Sequence, residues 1–174
     1  VYLAAFDKGF SPGTIVSDMT VTFNTVEGFY SPTNYSLKYS GNLPIRRAFE
    51  KSVNVIAVKL NDLVGPESVV SMAKKSGIES PLSPILSLPL GANEVTMLEL
   101  TQAYMVFANY GVKVEPVSIL KIEDRDGVVL HNYRIRETRV LNENLVSVLI
   151  DTMTGIVNYG TGRGAKLPRP IAGK

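Results

Sequence analysis

Residues 10 to 44 constrain the fold more than any other part of the sequence, because this long stretch is rich in Ser, Pro, Asn, Gly and Tyr. Such a composition predicts irregular structure, with one short alternating run, Val21 to Phe23, as a candidate strand. An irregular segment of this length inside a compact domain is usually functional or disordered. Its aromatic side chains argue against disorder; they are Phe29, Tyr30, Tyr35 and Tyr39.

The remainder of the chain is mostly helical in its apolar periodicity. Val1 to Phe6 is typical of the end of an apolar helix, with Gly9 as its stop signal. Thr96 and Glu99 form a capping-box sequence at the start of another helix. Two further helices are predicted at Leu43 to Glu50 and at Val53 to Leu63. Another begins at Pro66 and ends at Gly77, the capped helix after Thr96 ends at Gly111, and the last runs from a cap at Asn142 to Gly160.

A hairpin is predicted between the last two helices. The alternating run from Val117 to Lys121 is followed by the turn signal Asp126-Gly127, and Val128 to Leu130 return. The final residues, "IAGK", are predicted to begin a strand. Helices packed around an antiparallel sheet define an α+β fold, and the length of 174 residues fits one domain.

Composition excludes several classes of function. The net charge is +2 and the basic residues are scattered, so neither nucleic acid nor an anionic membrane is an expected partner. With no cysteine and one histidine, the usual ligands of transition metals are lacking, and no cofactor is expected. The chain opens without Met and closes on Gly173-Lys174, so we expect an internal fragment of a longer protein.

Several short motifs are better explained without chemistry. His131 lies in or beside the hairpin and is expected at the surface. The glycine-rich run from Gly160 to Gly164 follows a helix, whereas phosphate loops precede one. Asn34-Tyr35-Ser36 matches a glycosylation acceptor, but so short a pattern occurs by chance. The acidic cluster of Glu123, Asp124 and Asp126 is interpreted as a solvated turn.

The pattern Ser-x-Asn occurs twice, and each copy alone is most simply a turn or a helix cap. Ser40-Gly41-Asn42 precedes Pro44 in the tyrosine-rich stretch, which is typical of a turn. Ser52-Val53-Asn54 lies between two predicted helices, where Ser52 can cap the second. A short connection there can also present both side chains to a cleft.

Six segments of the chain resemble, in the same order, the transpeptidase domain of class A, high-molecular-weight penicillin-binding proteins. They are "VYLAAFDKGFSPGTIVSD", "YSPTNYSLKYSG", "RRAFEKSVNVIAVKL", "LSLPLGANEVTMLELTQAYMVFANYGV", "IEDRDGVVL" and "RPIAGK". The resemblance covers essentially the whole chain, and a collinear set is far more specific than one motif. It implies that residues 1–174 are part of a single penicillin-binding transpeptidase domain truncated at both ends, with the penicillin-binding-protein and serine β-lactamase-like fold.

The family carries three active-site motifs, Ser-x-x-Lys, Ser-x-Asn and Lys-Thr-Gly. The resemblance identifies Ser52-Val53-Asn54 as the second motif and Lys174 as the first residue of the third. It places the first motif just before Val1, so the nucleophilic serine is expected outside this chain. It implies catalytic roles for Ser52 and Lys174 and a substrate-binding role for Asn54.

The resemblance implies a D,D-transpeptidase that cross-links peptidoglycan stem peptides through a serine acyl-enzyme and is acylated by β-lactam antibiotics. It also implies an N-terminal anchor in the bacterial cytoplasmic membrane, an extracytoplasmic location and a neighbouring glycosyltransferase domain. Two alternatives remain open: a D,D-carboxypeptidase or β-lactam sensor of the same fold, and a peptidoglycan-binding module without catalysis. The chain alone, without the nucleophile motif, is expected to be inactive.

Overall fold

The protein was analysed as a computed structural model that describes residues 1–26 and 28–174, and its helices follow the sequence signals closely. The Thr96–Glu99 capping box and the Asn142 cap are both formed, as predicted. Gly65 ends one helix, and Pro66 begins the next. The helices are α1 (Tyr2–Asp7), α2 (Ile45–Glu50), α3 (Asn54–Val64), α4 (Pro66–Lys75), α5 (Met97–Ala108) and α6 (Glu143–Tyr159).

The strands are short and form four antiparallel pairs, β1 with β4, β2 with β3, β5 with β8, and β6 with β7. The α+β class is confirmed, but the expected sheet is divided into these two-stranded ladders. The strands are β1 (Ile15–Asp18), β2 (Phe23–Thr25), β3 (Gly28–Tyr30), β4 (Gly41–Pro44), β5 (Val112–Val114), β6 (Lys121–Glu123), β7 (Val129–Asn132) and β8 (Glu137–Arg139).

Three strand predictions need correction. Of the predicted strand Val21 to Phe23, only Phe23 belongs to β2, and β1 pairs instead with β4 across the irregular stretch. The hairpin exists, but it joins β6 to β7, later than predicted on both arms. Residues 171–174 form no strand in the part of the chain that the structure describes, because a strand requires a paired neighbour. Glu27, inside the predicted irregular stretch, lies outside the described residues.

The core lies where α1, α2, α3 and α6 pack together. Fully or almost fully buried side chains from each helix meet there, including Ala5, Ile45, Ile56 and Ile156. Tyr2 of α1 stacks on Phe49 of α2, with 3.9 Å between the ring centroids. Burial of each large apolar side chain contributes about 1.5–3 kcal/mol, so this core fixes the end of α2 firmly.

Helix α5 buries a different face from the one that its sequence suggested. The helical period of its apolar residues predicts that Met97 and Leu100 lie on its buried side, but they are 84% and 48% exposed. Ala103 and Val106 are the buried apolar residues of this helix. The first turn of α5 therefore projects from the core, and the capping box rather than burial defines its start.

Helix α2 closely approaches the end of α6 because a glycine, Gly160, immediately follows α6 at this point. The backbone N–H of Thr161, just after α6, donates to the carbonyl oxygen of Glu50 at 3.0 Å. A side chain on Gly160 would overlap that same carbonyl group. Arg46 of α2 also forms an ion pair with Asp151 of α6. These contacts hold the end of α2, which immediately precedes Ser52.

Glu99 provides a pH-dependent contribution to stability. Its carboxylate accepts hydrogen bonds from Ser80, Glu79 and Thr96. Hydrogen bonding, led by the Ser80 hydroxyl, lowers the pKa of Glu99 from its ordinary value of 4.5 to about 2.

We expect Glu99→Gln to lower stability at pH 7, because an amide places a donor against these donors. Because the pKa of Glu99 is lower in the folded protein, its ionised carboxylate stabilises the fold above the unfolded pKa, and this contribution is lost as the pH falls. The stability difference between Glu99→Gln and wild type should therefore shrink between about pH 4.5 and 2. Urea unfolding of the wild-type and Glu99→Gln proteins at several pH values measures this difference in stability. A deficit that is constant across this range would contradict the prediction.

Candidate active site

The connection between α2 and α3 is a tight turn with Ser52 at its centre. The N–H of Ser52 donates to Phe49 at 3.1 Å, and the N–H of Val53 donates to Ala48 at 2.9 Å. These are the two hydrogen bonds of a Schellman motif, in which the central residue is left-handed and usually glycine. Ser52 indeed has a φ of 53°, a conformation that costs a non-glycine residue of order 1–3 kcal/mol.

Ser52 does not cap α3, contrary to the simplest interpretation of its sequence. The N-cap residue is Val53, whose side chain makes no cap hydrogen bond. The left-handed backbone of Ser52 completes the end of α2 instead. Its side chain is therefore presented at the surface by a rigid turn, and its hydroxyl is free of any capping role.

The fold brings Lys174, the last residue of the sequence, to this turn. The Lys174 ammonium contacts the Ser52 hydroxyl in a hydrogen bond between residues 122 positions apart. The same ammonium lies 5.7 Å from the centroid of the Phe49 ring, within the range of a cation–π interaction. The Tyr104 hydroxyl of α5 donates to the Lys174 carbonyl oxygen at 3.3 Å.

Partial burial lowers the pKa of Lys174 below the ordinary lysine value. The cause is desolvation, which disfavours the charged form of an amine. A lysine with a lowered pKa exchanges a proton at neutral pH more readily than a solvated one. The pair of Ser52 and Lys174 can therefore relay a proton between a base and a leaving group.

Asn54, the third predicted site residue, is the first residue of α3 and is half-buried. Its side-chain amide donates to the backbone carbonyl oxygen of Thr33 at 3.0 Å. This bond ties the start of α3 to the tyrosine-rich stretch. Ser52 and Asn54 thus lie on the same short turn.

A cavity of about 420 Å³ opens beside Ser52. Its other lining residues include Lys51, Thr161, Lys38 and Ser40. The sequence interpretation of the first Ser-x-Asn copy as a turn implies that its side chains do not face the site, but Ser40 lines the same cavity as Ser52. Its partner Asn42 lies on β4, paired with Ser17 of β1.

The motifs dismissed from the sequence have ordinary surroundings. His131 is exposed on β7. Asn34 of the glycosylation pattern is 7% exposed, and its amide is hydrogen-bonded to Asp18 and Lys38, so it offers no acceptor for a sugar. Within residues 1–26 and 28–174, no group of three or more metal-binding side chains of His, Cys, Asp or Glu is found. No helix of the described chain is long and apolar enough to span a membrane.

Two tetrapeptides match Ser-x-x-Lys by letters alone, and sequence reasoning passed over both. They begin at Ser71 on α4 and at Ser118 before β6. Lys74 of the first donates to the carbonyl oxygens of Glu79 and Ser80, while Lys121 of the second pairs with Glu123. The printed contacts of Lys74 are with backbone oxygens and that of Lys121 is with a carboxylate, so neither is a contact with a serine hydroxyl. Neither tetrapeptide lines the cavity beside Ser52.

Sequence reasoning also missed Phe49 and Tyr104 as neighbours of Lys174. Both lie in helical stripes, where an aromatic residue most simply belongs to the core. The position of Phe49, three residues before Ser52 and at the end of α2, was the only signal that pointed to the site.

Comparison with known proteins identifies the family of this chain. The family described as penicillin binding protein transpeptidase domain matches residues 1–174, so the chain belongs to that family. It is 40% identical to penicillin-binding protein 1A of Aquifex aeolicus over 177 residues, covering 100% of this chain and 24% of the relative. Penicillin-binding protein 2D of Bacillus subtilis is 34% identical over 187 residues, with 100% and 27% covered. The chain therefore spans about a quarter of these relatives.

Solved structures confirm the fold. Penicillin-binding protein 1A from Haemophilus influenzae superimposes with a TM-score of 0.88 at 22% identity, covering 94% of this chain and 30% of that one. Penicillin-binding protein A from M. tuberculosis, in an imipenem acyl-enzyme complex, gives 0.86 at 20% identity, covering 99% and 45%. At this level of identity the likeness establishes the architecture alone.

Proposed function

We propose that residues 1–174 are part of a single transpeptidase domain that supplies the proton-relay side of a peptidoglycan D,D-transpeptidase. The observation that carries the proposal is the contact between the Lys174 ammonium and the Ser52 hydroxyl. It joins the two residues that the family pattern assigns to catalysis, and it lies beside a cavity open to solvent.

The reaction is acyl transfer through a serine outside residues 1–174. That serine attacks the carbonyl carbon of the penultimate D-alanine of a stem peptide, and the terminal D-alanine leaves as an amine. The lysine of the Ser-x-x-Lys motif, also outside residues 1–174, accepts the proton of the attacking hydroxyl. That proton replaces the one that the Ser52 hydroxyl donates to the leaving amine, so Ser52 ends the step protonated. Lys174 holds the Ser52 hydroxyl and adds positive potential for the substrate carboxylate. Such proton transfer contributes typically about 10²–10⁴-fold to the rate. An amine of a second stem peptide then attacks the ester and releases the serine.

Asn54 positions the acyl donor in this proposal. A side-chain amide has two donor hydrogens and an acceptor oxygen, so its bond to Thr33 leaves groups for a peptide backbone. Held at the first turn of a helix, the amide is fixed in direction. Fixed hydrogen-bonding groups of this kind align a substrate for attack.

Membership of the penicillin-binding transpeptidase family supports β-lactams as ligands, and stem peptides are the substrates that this proposal assigns. By the same proposal, an N-terminal anchor holds the full-length protein at the extracytoplasmic face of the bacterial membrane, next to a glycosyltransferase domain. A carboxypeptidase or a β-lactam sensor would use the same relay with water, or without an acceptor. Product analysis with a stem peptide and an added amine separates these activities.

The site of penicillin attachment tests the proposal. The full-length protein should form one adduct per molecule, on a serine outside residues 1–174, and the 174-residue chain alone should form none. Mass spectrometry and peptide mapping after incubation with labelled penicillin measure both. An adduct on any residue of this chain, including Ser71 or Ser118, or no adduct on the full-length protein, would overturn the assignment.

A further inference from the structure

A buried hydrogen-bonded pair, Asp18 with Asn34, lines the cavity next to Ser52. Asp18 is 1% exposed and Asn34 is 7% exposed. The Asn34 amide nitrogen donates to one Asp18 oxygen at 2.7 Å, and the N–H of Ser40 donates to the other at 2.8 Å. The same amide nitrogen reaches the Lys38 carbonyl oxygen at 3.0 Å. Two acceptors therefore fix which end of the Asn34 amide is the donor.

The oxygen of the same Asn34 amide is hydrogen-bonded to α3. The side-chain oxygen of Asn34 accepts from the backbone N–H of Val55, in the first turn of the helix, at 3.2 Å. The first N–H groups of a helix lack partners within it and are normally satisfied by the N-cap side chain. Val53 occupies that position and has no polar side chain. Asn34 thus caps α3 from a segment about twenty residues away in sequence.

The neighbouring residue reinforces the same connection, because Thr33 accepts the Asn54 side chain. Thr33 and Asn34 therefore accept hydrogen bonds from Asn54 and Val55, the first two residues of α3. Ser52, two residues before Asn54, keeps a left-handed backbone. A strained conformation persists only where its surroundings over-determine it.

We propose that Asn34 is a positioning residue for the Ser52-Val53-Asn54 turn, and that Asp18 orients the Asn34 amide for this purpose. The inference rests on the proposed function, because it concerns the geometry of the same relay. A purely structural role for Asn34 is the competing explanation. If Asn34 is a positioning residue, its substitution changes the reactivity of each folded molecule. If its role is purely structural, the substitution changes only the number of folded molecules.

The test uses Asn34→Ala in the full-length protein and separates penicillin binding from acylation. We expect the first-order acylation rate constant to fall about tenfold or more, since small displacements of a catalytic group are costly. The non-covalent dissociation constant should change much less. A variant that is only less stable forms less total adduct but reacts with an unchanged rate constant.

Asn61→Ala is the matched control. Like Asn34, Asn61 is a buried asparagine, and it lies in α3. Its amide donates to the carbonyl oxygens of Ile85 and Leu86, away from the Ser52 turn. It should lower the melting temperature and leave the rate constant unchanged. Equal rate constants for Asn34→Ala and wild type, or equal losses in Asn34→Ala and Asn61→Ala, would overturn the inference.

Asp18→Asn provides the same test if Asn34→Ala does not accumulate. An amide at position 18 sets a donor against either Asn34 or Ser40, so one hydrogen bond is lost without a change of size. A smaller fall in the same rate constant is expected, and no fall would count against the proposal. Failure of the wild-type protein to form an adduct would instead refute the proposed function.

Discussion

Replacement of Ser52 by alanine in the full-length protein is expected to slow acylation by penicillin about 10²-fold or more, as for other proton-relay groups. The substitution removes the hydroxyl that contacts the Lys174 ammonium. Because the Ser52 side chain caps no helix and alanine keeps the backbone N–H of the turn, stability should change by no more than about 0.5 kcal/mol. Stopped-flow acylation and thermal unfolding of the same preparations measure both quantities.

Ser40→Ala is the matched control, since Ser40 lines the same cavity and belongs to the other Ser-x-Asn copy. Its backbone N–H, which alanine retains, makes the hydrogen bond to Asp18. Acylation should therefore remain nearly normal. If Ser52→Ala acylated normally but melted several degrees lower, Ser52 would be a structural residue and the relay would be wrong.

Ser52→Gly sharpens this comparison. Glycine adopts the left-handed conformation of residue 52 without steric cost, although it loses more entropy on folding. We expect the melting temperature to stay the same or rise, while acylation falls as far as in the alanine variant. A variant that is at least as stable and yet unreactive would separate catalysis from folding at one position.

Gly160→Ala is expected to lower the stability of the protein strongly. The new Cβ would overlap the Glu50 carbonyl oxygen and lie 3.0 Å from the Ile156 Cα, both rigid backbone atoms. We expect a loss of about 3 kcal/mol, the upper part of the usual range for overpacking. For a domain of this size that corresponds to a melting temperature lower by about 6–12 °C.

Gly164→Ala is the control for this prediction, because a Cβ there would meet no atom within 4 Å. Both glycines lie in the segment after α6, so the comparison isolates the contact with α2. Thermal unfolding of the two variants and the wild-type protein decides the matter. Equal melting temperatures for Gly160→Ala and Gly164→Ala would show that α2 and α6 can separate without cost.

The helices were predictable because their signals are local. Thr96 and Asn142 act as caps within a few residues of their own sequence, and glycine or proline marks most ends. The apolar face of α5 was predicted less well, because Met97 has the same hydrophobicity whether or not a neighbour covers it. Periodicity identifies a helix more reliably than it identifies the residues that the fold buries.

The strands and the site depend on distant partners, which no local pattern encodes. Strand β1 exists because Ile15–Asp18 meets Gly41–Pro44, and neither segment alternates clearly enough to predict the pairing. The site residues were identified only through the family resemblance. Nothing in the letters around Ser52 predicts its left-handed backbone or the support from Asn34.

The Ser52–Lys174 contact has a consequence for how the protein folds. The turn at Ser52 is closed by hydrogen bonds over a few residues, whereas the contact with Lys174 closes a loop of 122 positions. Closing a long loop costs entropy that only later contacts repay, so local turns form before distant pairs. During refolding of the full-length protein, native helix content should therefore return before reactivity with β-lactams, and acylation would report a late stage of assembly.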